Sequence, residues 1–67
     1  MTMKVIDKKK EVYEGKTVFR IRGEGKKERF HMYKEDWEQI NVGQVYLFKY
    51  EKRDNNPVEI LGFQGVK

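Results

Sequence analysis

The sequence contains no cysteine, no serine and no alanine, and it has one histidine and one proline. Without thiols no disulfide can staple the core, and a lone imidazole leaves no protein-only zinc site. Thr2 and Thr17 are the only hydroxyls outside tyrosine, so a nucleophilic triad built on Ser or Cys is excluded. No apolar run approaches the ~18 residues of a membrane span, and no signal-like apolar region opens the chain. A soluble, cytoplasmic protein is expected. At 67 residues there is room for one domain, residues 1–67, and not for two. A chain this short buries only about 60% of the surface its unfolded form exposes, so its core is small.

What the chain does have is charge, and the charge is uneven. Fifteen Lys and Arg stand against eleven Asp and Glu, a net +4. Residues 1–34 hold eleven basic and five acidic groups, whereas residues 35–67 hold four and six. One part of the molecule is therefore a basic surface, whose usual partners are nucleic acid or an anionic membrane. A bland solvated face and a heat-adapted composition rich in Lys and Glu remain as alternatives.

Strand signals dominate, carried by seven Val, four Ile and nine aromatic residues. Met3–Ile6 and Glu11–Tyr13 flank Lys8, Lys9 and Lys10 and read as one long strand, bulged near the lysines. Glu14-Gly15-Lys16 reads as a tight turn. Thr17–Arg22 alternates, with Phe19 and Ile21 on one side and Val18, Arg20 and Arg22 on the other. Gly23 to Lys27 forms a hairpin loop whose glycines accept positive φ. In Arg29–Tyr33, Phe30 and Met32 face one way, and Arg29, His31 and Tyr33 the other. Pairing of these two strands collects Arg20, Arg22, Arg29, His31 and Tyr33 on one outer platform.

Lys34–Ile40 is the single helix expected, too short to stand alone. Trp37 and Ile40 share a face, and Trp37 is expected in the core. Val45–Tyr50 is the strongest strand. It cannot bury both Val45 with Leu47 and the set Tyr46, Phe48 and Tyr50, so at least one of the three aromatics is expected outside, or a bulge swaps faces midway. Asp54-Asn55-Asn56-Pro57 is a turn, and Val58–Phe63 is a last strand broken at Gly62. Five short strands in a chain this small bury one common face by curling into a barrel, and the helix between strands three and four can close one end. The expected fold is all-β, a small five-stranded barrel with one short helix.

Gly15-Lys16-Thr17-Val18-Phe19-Arg20-Ile21-Arg22-Gly23 resembles the second strand of single-stranded-DNA-binding and replication-protein-A-like modules. Trp37-Glu38-Gln39-Ile40-Asn41-Val42-Gly43-Gln44-Val45-Tyr46 resembles their helix, glycine turn and fourth strand. The element order is likewise similar to the oligonucleotide/oligosaccharide-binding (OB) fold. That resemblance implies a ligand crossing strands two and three, flanked by the loops between strands one and two and between strands four and five. By position it implicates Arg20, Arg22, Arg29, His31 and Tyr33, with Lys16 and the Lys52-Arg53-Asp54-Asn55-Asn56 loop at the flanks. Lys26 and Lys27 extend the basic surface.

Single strands require cations that track phosphates and flat groups on which bases stack. Arginines supply the first and Tyr33 the second, joined by Phe48 or Tyr50 if the fourth strand reaches the groove. Gly23-Glu24-Gly25 is no phosphate loop, because no G-x-x-x-x-G-K-[ST] pattern follows. The carboxylates Glu35, Asp36 and Glu38 have no apolar pocket to tune a general acid. The expectation is a binding protein without enzymatic activity, cofactor or metal. It holds single-stranded nucleic acid with little sequence preference, DNA ahead of RNA on the strength of the resemblance. The alternatives are a protein-interaction module that uses an exposed edge strand and aromatics, a barrel that binds duplex DNA, and a self-associating form of any of these.

Overall fold

In the computed structural model, which describes residues 1–54 and 57–66, the chain forms five strands and one helix. They are β1 (Thr2–Tyr13), β2 (Lys16–Gly23), β3 (Phe30–Met32), α1 (Lys34–Gln39), β4 (Val45–Glu51) and β5 (Val58–Gly65). The strands close into a ring in the order β1-β2-β3-β5-β4. All pairs are antiparallel except β3 with β5, which is parallel. No helix among the described residues is long and apolar enough to cross a membrane.

Closure depends on β1 serving two neighbours. Thr2, Met3 and Lys4 pair with Leu47, Tyr46 and Val45 of β4, while Val5 to Tyr13 pair with β2. The change of partner falls at a bulge between Val5 and Asp7, upstream of the lysine run where the sequence suggested it. A bulge bends its strand and sharpens the twist, which lets one strand leave β4 and follow β2. Gly23 lies opposite Val5, and a Cβ there would run into the Met3 side chain.

Inside the ring lie Met3, Val5, Ile21, Phe30, Met32, Ile40, Tyr46, Phe48, Val58 and Ile60. Tyr46 and Phe48 take the interior and leave Val45 and Leu47 outside. The face-swapping bulge anticipated for β4 falls on β5. Lys49 pairs with Gly62 and Tyr50 with Ile60, so Leu61 has no partner opposite. That extra residue changes the parity of β5 and turns Phe63 inward beside Val58 and Ile60, edge-on to Tyr46 at 5.6 Å.

The helix is held by its neighbours rather than by its own length. Trp37 is half-buried rather than fully in the core, packed 5.0 Å from Phe19, with its indole N–H donating to the Arg20 carbonyl at 2.9 Å. Lys8 reaches across from β1, lies 4.3 Å from the Trp37 ring centroid and donates to the Ile40 carbonyl at 2.9 Å. A cation on a carbonyl at a helix C-terminus is favourable, so Lys8 has a structural task that a solvated run would not suggest.

Beyond the β3 pairing, residues 10–18 of β1 and β2 pair only with each other and form a two-stranded arm. The arm accounts for a long axis of 37 Å against a shortest one of 19 Å. Its turn places Glu14 at φ 51° and Gly15 at φ 76°, two left-handed residues in succession as a primed hairpin turn requires. Asn55 and Asn56 of the expected last turn lie outside the described residues.

Glutamate carries a Cβ penalty in the left-handed region that asparagine tolerates better. Glu14→Asn is therefore expected to stabilise the fold by about 0.5 kcal/mol. Gly23→Ala is expected to destabilise it by about 1–3 kcal/mol through overpacking against Met3. Urea unfolding of the two variants measures both changes.

Candidate nucleic-acid interface

Cross-strand partners share a face, so the register states what the outer surface carries. Along β1 and β2 the outward pairs are Asp7 with Arg22, Lys9 with Arg20, Glu11 with Val18, and Tyr13 with Lys16. On β3, His31 stands opposite Arg20, and on β5 Glu59 stands opposite His31. A band of side chains thus crosses the sheet from Lys9 through Arg20 and His31 to Glu59.

At one end of the band Asp7, Lys9, Arg20, Ile21 and Arg22 line a notch. Arg20 is fixed there from two sides. One guanidinium nitrogen donates to both Glu11 oxygens at 3.0 and 3.1 Å, and the backbone carbonyl is held by Trp37. The Arg20 hydrogen bond is the main reason the Glu11 carboxyl lies below its ordinary value. Lys9 touches Glu11 at 3.5 Å but is largely exposed, and exposed pairs of this kind contribute little. Arg22 is exposed and forms no ion pair among the described residues. The notch therefore presents Lys9 and Arg22 beside an immobilised Arg20, with the Asp7 carboxylate on the same lining.

Further across, His31, Tyr33 and Glu59 border a shallow groove that continues past Glu59 to Pro57, Glu51 and Arg53. Partial burial, then the charges of Arg20 and Arg29, hold the His31 imidazole below its ordinary pKa of 6.5. At neutral pH the ring is uncharged, with one nitrogen donating and the other accepting. Tyr33 is 55% exposed, directly before α1.

Of the residues singled out from the sequence, Arg20, Arg22, His31 and Tyr33 are brought together, with exposed Arg29 at the entry to β3. Lys16 sits at the tip of the arm and Arg53 at the opposite end of the band, bound to Glu51 at 3.0 Å. Lys26, Tyr50 and Lys52 gather elsewhere, around the mouth of the ring with Met1, Phe30 and Val58. Lys27 is exposed in the loop between β2 and β3. Phe48 is corrected: at 2% exposure it is core, 5.8 Å from the Tyr46 ring, and offers no surface to a base. Of the three aromatics on β4 only Tyr50 is exposed, because it lies at the open mouth.

Sequence reasoning passed over Tyr13, which shares the Arg20 face and is 67% exposed. Counting outward by twos from Lys9 through Glu11 would have reached it. It also read the platform as basic and partly aromatic, with no carboxylate in it. Asp7, Glu11 and Glu59 stand on the same face, and only strand pairing could reveal that. Comparison with family models, curated proteins and solved structures finds no match to this chain.

The His31 shift sets a pH dependence. Below 6.5 the unfolded chain binds a proton that the folded chain resists, so stability falls as pH drops through 6.5 toward the lower folded value. The melting temperature is expected to fall between pH 7.5 and pH 5.5, and His31→Gln is expected to flatten that decline. The Glu11 contribution is lost separately, below its unfolded value of 4.5.

Proposed function

We propose that this protein binds single-stranded nucleic acid, DNA ahead of RNA, with little sequence preference along most of the strand and without catalysing a reaction. One observation carries the reading. The outer face of β1, β2 and β3 carries the Lys9–Arg20–Arg22 notch together with two exposed tyrosines, Tyr33 between β3 and α1 and Tyr13 on the arm. Phosphates would track the notch, and bases would stack on the tyrosine rings, each worth roughly 1–3 kcal/mol. The closed five-stranded ring with its helix between β3 and β4 supports the same reading, since it is the arrangement that the resemblance to OB modules implies.

A second surface favours a protein contact as well. Val45 and Leu47 on β4 and Val66 just after β5 are exposed side by side, flanked by Thr2 and Lys4. An exposed apolar strip of this kind marks an interaction surface for a partner or a second copy. Sedimentation at rising concentration distinguishes a monomer from self-association there, and Leu47→Lys is expected to abolish any self-association.

Fluorescence anisotropy with a labelled mixed-sequence single strand and with a duplex, across a salt series, tests the main reading. Binding to the single strand is expected to weaken steeply with salt. Lys9→Gln with Arg22→Gln is expected to reduce the log–log salt slope by about 1.4, or ~0.7 per lost phosphate contact. Arg20 is left in place because its removal would strip Glu11 of its partner. Tyr33→Ala is expected to weaken binding about tenfold with the salt slope unchanged. Preference for the duplex, or a slope unaffected by the double substitution, sinks the proposal.

A further inference from the structure

A surface that holds phosphates gains nothing from a free carboxylate, yet Glu59 stands in the middle of this one. Its neighbours are accounted for. Glu11 is bound by Arg20, and Glu51 by Arg53 at 3.0 Å. Glu59 stands opposite His31 in the register, β3 lying parallel to β5, and its charge acts on the His31 imidazole and on the Arg53 guanidinium. Among the described residues neither side chain makes a hydrogen bond or ion pair. Both open into the groove bordered by Tyr33.

The groove therefore offers a flat ring, a carboxylate with two accepting oxygens, and a neutral imidazole beside it. A phosphate is repelled by that set. Tyr33 and Glu59 line one groove, so a nucleobase stacked on the ring can present an edge to the carboxylate, and the edges differ. Cytosine, adenine and guanine each carry an exocyclic amino group, a donor that a carboxylate accepts. Guanine adds a ring N–H beside its amino group, two parallel donors for two oxygens. Thymine and uracil present a ring N–H between two carbonyls, whose lone pairs face the carboxylate. An amino group gives the carboxylate a charge-assisted hydrogen bond, whereas the carbonyl lone pairs of thymine and uracil meet it with like sign.

We infer that the His31–Tyr33–Glu59 groove reads one base of the bound strand, accepting a base with an exocyclic amino group through Glu59 and disfavouring thymine and uracil. This rests on the single-strand reading above and refines it. The strand is held by charge and stacking at most positions, and one position is selective. The imidazole of His31, beside the carboxylate, fixes the base edge by donating to a ring nitrogen or carbonyl.

The test uses 12-nucleotide single strands of dT alone and of dT alternating with dC, dA or dG, with the full chain, by anisotropy at one salt concentration. The alternating strands are expected to bind about tenfold more tightly than dT alone. In Glu59→Gln that gap is expected to close to less than about threefold, with dT itself bound as tightly or more tightly because the opposing charge is gone. Uracil-based RNA strands are expected to show the same order, since the edge and not the sugar is read. Glu59 is exposed and makes no side-chain bond among the described residues, so an unchanged melting temperature for the variant is expected and certifies its fold. Equal binding of all strands by the unaltered protein, or a gap that persists in Glu59→Gln, overturns the inference while leaving the single-strand reading intact. No binding to any strand overturns both.

Discussion

Everything in this fold depends on one strand pairing with two neighbours. A chain of 67 residues has too little apolar surface to cover both faces of an open sheet, so the sheet must close on itself. The bulge after Val5 makes closure possible. Up to it β1 belongs to β4, and beyond it to β2. The junction is sealed by the backbone of the turn before β4, where Val5 donates to the Gln44 carbonyl at 3.0 Å and Gly43 donates to the Val5 carbonyl at 2.7 Å. Val5 is fully buried as a result. The absence of a Cβ at Gly23 belongs to the same joint, because Met3 fills that space.

Closure also decides what the outer surface can be. Once the ring is formed, the inward set is fixed by parity, and the outward set follows without further choice. Arg20 is outward because Ile21 is inward, and its backbone carbonyl is the acceptor that docks Trp37. The same residue thus ties the helix to the ring and anchors the cationic notch. The lysine run divides in the same way. Lys8 faces the helix and caps it, Lys9 faces the notch, and exposed Lys10 lies on the β1 edge of the arm. Lysines along an open strand edge discourage pairing with another chain, which the arm needs because neither of its edges is covered over residues 10–18.

Local alternation made much of this legible in advance. The opposed faces of β2 and β3, the turn at Glu14 and Gly15, and the helix between β3 and β4 all follow from sequence spacing of two or three residues. Phe48 was misplaced because β4 presents two apolar rows, and nothing within Val45–Glu51 says which is inward. The answer lies on β5 and β1, whose pairing puts Phe48 beside Phe63 and Met3 beside Tyr46. The mixed charge of the platform was hidden for the same reason. Glu11 is nine residues from Arg20 and Glu59 is 28 from His31, and only the register makes them neighbours. Composition by halves correctly located the basic excess but averaged away the carboxylates set within it.

Those carboxylates change what kind of surface this is. An unbroken cationic strip attracts any polyanion and holds it without register, since phosphates repeat along every strand. Glu11 restricts the part-buried Arg20 to one orientation, so its charge is offered from a fixed point. Fixing a guanidinium in advance lowers the ordering cost when a phosphate arrives, while its partner carboxylate reduces the attraction at long range. Such a surface loses affinity that depends on charge alone and gains a preference for strands whose phosphates and bases fall at the right places. The Glu11–Arg20 and Glu51–Arg53 ion pairs lie on either side of His31 and Glu59, so in the proposed binding mode the groove between them is where that positioning would act on a base.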